Sequence, residues 1–404
     1  MKKILIFCMT FYPKPVGGAE VAIKEITDRI DASDIEFHLL SLRFDSNVPK
    51  YERFGNIHVH RIGLTKSGAE AADFKRFPLH LNKAIYQFVA VWHAWRLHRK
   101  HHFDAIWGMM SHSTGVPCGI FKTFFPKVGY VLTLQEGDPP EHVERVMRPF
   151  GPLFRRGFTK ADTIQVISTF LGAWAKRMGF SGEPILVPNA VTTSAFTREP
   201  EAGELAEARQ RLGKKDGDVF LITTSRLTHK NAVDDVIRAL PQCPDHVHFA
   251  VLGTGADEEK LRALTEELGL GERVHFLGHI GHPEMVTYLK ACDIFIRPSR
   301  SEGMGNSFIE AMAAGVPVIA TQEGGIADFL FDEKRNPDRE TTGWAVDADS
   351  PGAIAEAVRD IIARPEKVAE VTTAAREMAL NEYDWDLIAR RMREEVFATV
   401  LAEQ

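Results

Sequence analysis

The richest run of chemistry-bearing residues lies between Arg297 and Thr321. An apolar strand pattern ends at Arg297, a Ser/Gly-rich loop follows, and a helical pattern opens near Asn306. Gly303 and Gly305, flanking Met304, let the backbone come close to a ligand. The free N–H groups and the dipole at that helix start suit a phosphate, and Asn306 or Ser307 is expected to cap it. Glu302 stands on the loop, and Glu310 stands on the helix. Carboxylates there accept hydrogen bonds from sugar or ribose hydroxyls. Two glutamates near a helix start are commonplace by themselves, because acids are favoured there. Between a strand, a glycine loop and a second strand introduced by Gly315-Val-Pro, the spacing becomes specific.

A second constellation, Thr224-Ser-Arg226-Leu-Thr-His-Lys230-Asn231, follows another strand pattern and opens a helix. Basic residues at a helix start oppose its dipole, so Arg226 and Lys230 ask for an anion. Each unit charge pair in contact is worth about 4 kcal/mol at an effective dielectric of 20, before desolvation. Two such cations would stabilise a leaving diphosphate. A third motif, Pro15-Val-Gly17-Gly18-Ala19-Glu20, sits at a strand-to-helix turn, where Gly17 and Gly18 allow close backbone approach to a phosphate or sugar. It is not G-x-G-x-x-G, and no acid ends the second strand pattern, so a nicotinamide dinucleotide is disfavoured.

The elements that must position these residues alternate. Strand patterns at 4–8, 37–42, 57–62, 105–108, 129–134, 163–167 and 184–187 are separated by helical patterns, including 20–30 and 79–101. After a polar connector at 199–217 the alternation restarts, with strands at 219–225, 247–252, 274–277, 294–297, 316–320 and 344–346, and closes with helical pattern over 351–403. This predicts an α/β protein of two doubly wound parallel sheets, with ligands at the strand C-terminal ends. The 404 residues, 44% hydrophobic and 26% charged, suit two globular domains and exclude disorder. Four scattered cysteines, Cys8, Cys118, Cys243 and Cys292, argue against a disulfide scaffold or a cysteine zinc site. The N-terminus resembles a weak signal peptide, but its apolar run of residues 4–9 is short and is read as a buried strand. The net charge of −6 hides a split: residues 1–190 carry 25 Lys+Arg against 17 Asp+Glu, and the rest carry 24 against 38. A basic first half can face an anionic surface or acceptor.

Taken together, these motifs resemble the retaining glycosyltransferases of family four, with the two-Rossmann GT-B architecture. The resemblance spans nearly the whole chain and is strongest from Ser225 to Gly325, including Val251–Leu261 and Val274–Gly278. It implies a donor domain at 196–380, an acceptor domain at 1–195, and a helix at 381–404 returning to the first domain, with a cleft between the two that closes on substrate. It implies that Arg226 and Lys230 hold the donor diphosphate, that Glu302 contacts the transferred sugar, and that backbone at Gly303–Asn306 approaches sugar and phosphate. Glu310 would bind the nucleotide ribose, and Gly17 and Gly18 would close over the diphosphate. Glu302, Arg226 and Lys230 are the expected catalytic set. Many relatives carry a histidine after a late first-domain strand; here Gln135 stands there, beside Glu136, and Gln cannot act as a base. Gln135, Glu136 and His112 are candidates near the sugar or acceptor.

The expected reaction moves a sugar from a UDP- or GDP-linked donor to a saccharide or lipid-linked acceptor hydroxyl, with retention, no cofactor and no metal. Nucleic acid is not an expected partner. Asp347-Ala-Asp349 mimics a metal motif, but the following Ser350-Pro351 reads as a helix start, so capping explains it. The run His98-Arg-Lys-His101-His102 ends a long helix, is expected to lack carboxylate partners and reads as a basic helix end. Phe88, Trp92 and Trp95 lie beside Arg96, Arg99 and Lys100, and Phe150, Phe154 and Phe158 lie among Arg148, Arg155 and Arg156. Such segments either rest on anionic membrane or pack into a core. The expected location is cytoplasmic, with peripheral contact at the inner membrane face if the first alternative holds. A sugar-nucleotide epimerase and a non-catalytic sugar-nucleotide-binding subunit are the rival readings.

Overall fold

The computed structural model describes residues 1–13 and 17–402, apart from the side chains of residues 71, 72, 282 and 283. Pro15 and Val16 of the first glycine motif lie outside the described residues. The chain forms two compact units, Met1–Asn189 with Trp385–Gln404, and Ala190–Asp384.

The first unit holds β1 (Lys2–Phe7), β2 (Ile35–Leu42), β3 (Tyr51–Phe54), β4 (Ile57–Ile62), β5 (Ala105–Met109), β6 (Gly129–Leu134), β7 (Thr163–Val166) and β8 (Ile185–Leu186), ordered β3-β4-β2-β1-β5-β6-β7-β8. Neighbours are parallel except the β3–β4 pair. Every residue of β5 and β6 is buried, as a sheet covered by helices on both faces requires. Three helices matter below: α1 (Gly18–Asp28), α2 (Asn82–His101) and α3 (Ser111–Phe124). The edge strand β3 was not visible as a separate strand in the sequence. Its alternating exposure leaves little apolar signal, and only the Gly55-Asn56 turn, with φ +56° at Gly55, betrays the hairpin.

The second unit holds β9 (Val219–Thr224), β10 (Val247–Leu252), β11 (Val274–Gly278), β12 (Ile294–Arg297), β13 (Val318–Ala320) and β14 (Trp344–Ala345), ordered β11-β10-β9-β12-β13-β14 and parallel throughout. Phe249, Val251, Ile294 and Ile296 of its strands pack in one core with Val236, Ile237, Ile354 and Val358 of the flanking helices. Strand order reverses at β1/β5 in the first unit and at β9/β12 in the second. Such switch points are where open α/β sheets take ligands.

The closing helical pattern is not continuous. Helices Pro351–Ala363 and Pro365–Glu382 are separated at Arg364, because Pro365 cannot continue the first. Asp384 bridges to Val191, and Thr193 Oγ1 donates to the Asp384 carboxylate at 2.6 Å. These ties hold 190–195 with the second unit, so the crossing falls at Asn189–Ala190, ahead of the expected 195. From Trp385 the chain packs with the first unit, where Phe397 sets its ring 5.1 Å from Trp107 and 6.1 Å from Phe37.

Candidate active site

In the second unit, three loops converge beyond the strand ends. The Arg300 N–H donates to the Lys230 carbonyl at 2.7 Å, which joins the loop after β12 to that after β9. The Gly325 N–H donates to the Glu302 carbonyl at 3.1 Å and brings in the loop after β13. Arg226 is exposed, and its guanidinium makes no hydrogen bond or ion pair among the described residues. Lys230 is half-buried close by on the same loop. Beneath them the Arg226 carbonyl accepts from Asn231 Nδ2 at 2.6 Å. The loop sits on Gly253 and Gly255, where an added Cβ would lie 1.8 Å from the Ser225 carbonyl oxygen and 2.2 Å from that of Leu227. Those two glycines touch the site only through the loop they carry, which sequence spacing alone did not indicate.

Arg297 ends β12 and is buried. Its Nη2 pairs with Glu302 Oε2 at 3.0 Å, its Nη1 donates to Ser307 Oγ at 2.8 Å, and its guanidinium lies 4.2 Å over the Phe308 ring. Glu302 Oε1 accepts from the Gly303 N–H at 3.1 Å, so the carboxylate is fixed at both oxygens. In the sequence Arg297 reads as a strand end, and the charge closing an apolar strand is the signal for its role here.

The helix Asn306–Ala313 begins as expected, but neither Asn306 nor Ser307 caps it. Gly305 is the N-cap, at φ +91°, and a Cβ there would come within 2.7 Å of Phe308 and Arg297. Asn306 Nδ2 reaches the Ala190 carbonyl instead, at 3.4 Å, and Ser307 is taken by Arg297. Gly303 and Met304 are buried. Glu310 is buried too, and burial pushes its carboxyl up to about 7 against the opposing pull of Arg297. Around these groups the side-chain atoms Thr224 Oγ1, Ser225 Oγ, Asn231 Oδ1, Arg297 Nε and Ser299 Oγ are buried without a hydrogen-bond partner. Leaving one such atom unpaired costs about 1–3 kcal/mol, so their concentration at one strand-end crevice marks a place built for a polar ligand.

The Asp-x-Asp run does not cap a helix. Ser350 precedes Pro351 with no side-chain cap, Asp347 pairs with Arg335 at 2.8 Å, and Asp349 pairs with Arg300 at 2.6 Å. Arg300 also binds Asp234 at 2.9 Å and Asp235 at 2.8 Å. Both aspartates of the run are therefore committed to arginines.

The first unit's candidates are arranged differently. Glu136 is buried; its Oε1 accepts from the Ser111 N–H at 2.5 Å and the Ser111 hydroxyl at 2.6 Å, and its Oε2 accepts from the Gln135 N–H at 3.0 Å. Burial would raise its pKa, but the hydrogen bonds from His112 and Ser111 outweigh that and hold it below the usual range. Glu136 is thus turned inward onto the start of α3 rather than offered to a sugar. His112 Nδ1 lies 3.6 Å from Glu136 Oε1. Gln135 and Asn189 exchange amide hydrogen bonds at 3.0 and 3.3 Å. At the β1 switch, Glu20 folds back to accept from the Gly17 N–H at 2.7 Å, and also from the Thr10 hydroxyl. An added Cβ at Gly18 would meet no atom of the described residues within 4 Å.

The family model described as Glycosyltransferase Family 4 matches residues 16–195, and that of Glycosyl transferases group 1 matches residues 205–378. The chain belongs to the family-four glycosyltransferases. Among curated relatives it is 32% identical, over 252 residues and 59% of its length, to a GDP-mannose-dependent α-(1-6)-phosphatidylinositol monomannoside mannosyltransferase of Mycolicibacterium smegmatis, of which the match spans 63%. Among solved structures it superposes on sucrose-phosphate synthase of Thermosynechococcus elongatus with a TM-score of 0.81 at 20% identity, covering all of both chains. On the Anabaena protein HepE in complex with UDP and glucose the TM-score is 0.75 at 20% identity, over 98% of this chain and all of that one. The GT-B fold class follows for this family-four member, with both of its sheets accounted for.

Proposed function

We propose that this family-four protein is a retaining glycosyltransferase that moves a sugar from a nucleoside diphosphate donor, GDP-mannose in the first instance, to a hydroxyl of a lipid-linked saccharide acceptor. The observation that carries it is the cluster of unpartnered buried polar atoms between β9 and β12, beside the unpaired guanidinium of Arg226. In this reading Arg226 and Lys230 meet the diphosphate, and the N-terminus of helix Asn306–Ala313 adds its N–H groups and dipole to the same charge. Glu302, clamped by Arg297 and the Gly303 N–H, accepts from hydroxyls of the transferred sugar and fixes its attitude. Glu310 accepts from the ribose hydroxyls. Leaving-group stabilisation is assigned wholly to protein cations, without a metal. Gln135 orients the acceptor and does not take its proton, and Gly18 admits the donor phosphates from the first unit. Retention is what family membership implies. GDP-mannose and the lipid-linked acceptor come from the name of the Mycolicibacterium relative. Neither the epimerase nor the binding subunit has support among the relatives named above.

The aromatic segments divide. Phe154 and Phe158 are 3% and 0% exposed and belong to the core. On α2 the buried positions are Asn82, Tyr86, Gln87, Ala90 and Ala94, while Phe88 and Trp92 are each 52% exposed and Trp95 is 38% exposed. Arg96 and Arg99 stack over Trp92 and Trp95 at 4.8 and 5.0 Å. No helix among the described residues is long and apolar enough to cross a membrane. The outward face of α2 is proposed to rest on an anionic leaflet, where such rings and cations are at home.

A thermal-shift panel of GDP, UDP, ADP and their sugars tests the donor, since a ligand of the native state raises the melting temperature. A shift with GDP and GDP-mannose, followed by mannose transfer to a lipid-linked acceptor, is the expected result. No shift with any nucleotide would sink the donor site. Flotation with anionic vesicles at low and high salt tests α2: binding is expected at low salt and is lost in Trp92→Glu with Trp95→Glu.

A further inference from the structure

On the first unit, well back from the strand ends, a cluster of imidazoles has no part in the proposed reaction. Strand residues alternate in direction, and the β2–β4 register sets His38 opposite His58 and Leu40 opposite His60. Glu36, His38, His58 and His60 therefore share one face. His38 Nε2 lies 2.8 Å from Glu36 Oε1, and His38 Nδ1 lies 3.0 Å from His60 Nε2. The Tyr51 hydroxyl of β3 lies 2.8 Å from His58 Nδ1. His101, at the end of α2, closes over this face with its ring 4.4 Å from that of His38. One donor atom from each of Glu36, His38 and His58 lies within 4.8 Å of the other two.

We propose that Glu36, His38 and His58 bind a divalent transition-metal ion of the zinc class, with a water completing its coordination. Two imidazoles and a carboxylate are the donors such ions take, with room left for another nitrogen or a water. Both histidines are already held as metal-bound histidines are held. His38 Nδ1 has His60 as its partner and His58 Nδ1 has Tyr51, so the ion would be met by the two Nε2 atoms, that of His38 exchanging its present contact with Glu36 Oε1 for the metal. Metal bonds of about 2.0–2.1 Å place tetrahedral ligand atoms about 3.3 Å apart, so closing from 4.8 Å needs only side-chain rotation. Lys3 Nζ lies 3.3 Å from Glu36 Oε1 and competes for that oxygen, leaving the other carboxylate oxygen to the ion. Bound there, the ion would pin β4 to β2 near the edge of the sheet.

The test is Zn²⁺ titration of the untagged, chelator-treated full chain by calorimetry, with Co²⁺ as the visible-absorption probe. One saturable Zn²⁺ per chain is expected, with tetrahedral Co²⁺ bands and a higher melting temperature. Glu36→Gln and His58→Gln should each abolish binding, and His246→Gln, remote and exposed, should leave it unchanged. Tyr51 is exposed, so Tyr51→Phe should fold and weaken affinity about 10- to 100-fold by freeing His58. No saturable site, binding that survives in Glu36→Gln and His58→Gln, or a Tyr51→Phe affinity equal to that of the wild type would each overturn the proposal.

Discussion

The strand ends of the two units carry similar side chains in opposite states. Beyond β9 and β12, the Arg226 guanidinium and five buried polar side-chain atoms have no partner among the described residues. Beyond β5 and β6, both Glu136 oxygens are taken by backbone N–H groups, and Gln135 is locked to Asn189. A group already satisfied by its own chain stabilises the fold and has little left for a ligand; an unsatisfied one gains most when a ligand arrives. The contrast is one of degree, since His112 Nδ1 in the first unit is also buried without a hydrogen-bond partner among the described residues, and glutamates stand at both.

Four substitutions can break or sharpen that contrast. The largest effect belongs to Lys230→Ala: loss of a cation that stabilises the leaving diphosphate should lower kcat about 10²- to 10³-fold with an unchanged circular dichroism spectrum. A well-folded, active Lys230→Ala protein would contradict the donor assignment. Next comes Glu310→Gln. An acid whose pKa rises from 4.5 to about 7 on folding holds more protons in the folded state. Its stabilising contribution is full below pH 4.5 and is lost as pH rises towards 7, a change of about 3 kcal/mol at 1.36 kcal/mol per pH unit. Denaturant melts across that window should fall more steeply for the wild type than for Glu310→Gln, and wild-type GDP affinity should rise with ionisation while that of the variant stays flat.

Glu136→Gln should behave in the reverse way to Lys230→Ala. One amide N–H would face the Ser111 or Gln135 N–H, costing about 1–3 kcal/mol of stability, while kcat per folded molecule changes little. A large kcat loss with unchanged stability would move Glu136 into the reaction. Gln135→Ala should be smallest on folding, about 1 kcal/mol for the amide pair, and should raise acceptor KM more than it lowers kcat if Gln135 orients the acceptor.

Reading the chain from its sequence worked best where chemistry is local. The parallel strands are long apolar runs, so twelve of the fourteen observed strands had already been placed near their observed limits; β8 shrank to two residues and β3 was missed because it is exposed. Arg226, Lys230, Glu302 and Glu310 were legible because a loop, a helix start and their spacing sit within one short stretch each. Capping was misjudged at Asn306 and at Asp349 because the competing partners, Ala190, Arg297 and Arg300, come from elsewhere in the chain.

What the sequence determined by itself is the pair of wound sheets and the candidate residues at their strand ends, since periodicity and turn chemistry act over a few residues. Only the tertiary structure decided which of those residues are already paired. It turned Glu136 inward, fixed Glu302 on Arg297, left the α2 aromatics outside while burying Phe154 and Phe158, and brought Glu36 and His38 of β2 beside His58 of β4. Hydrogen-bond satisfaction and burial depend on partners far apart along the chain, and strand register and helix packing alone bring those partners together.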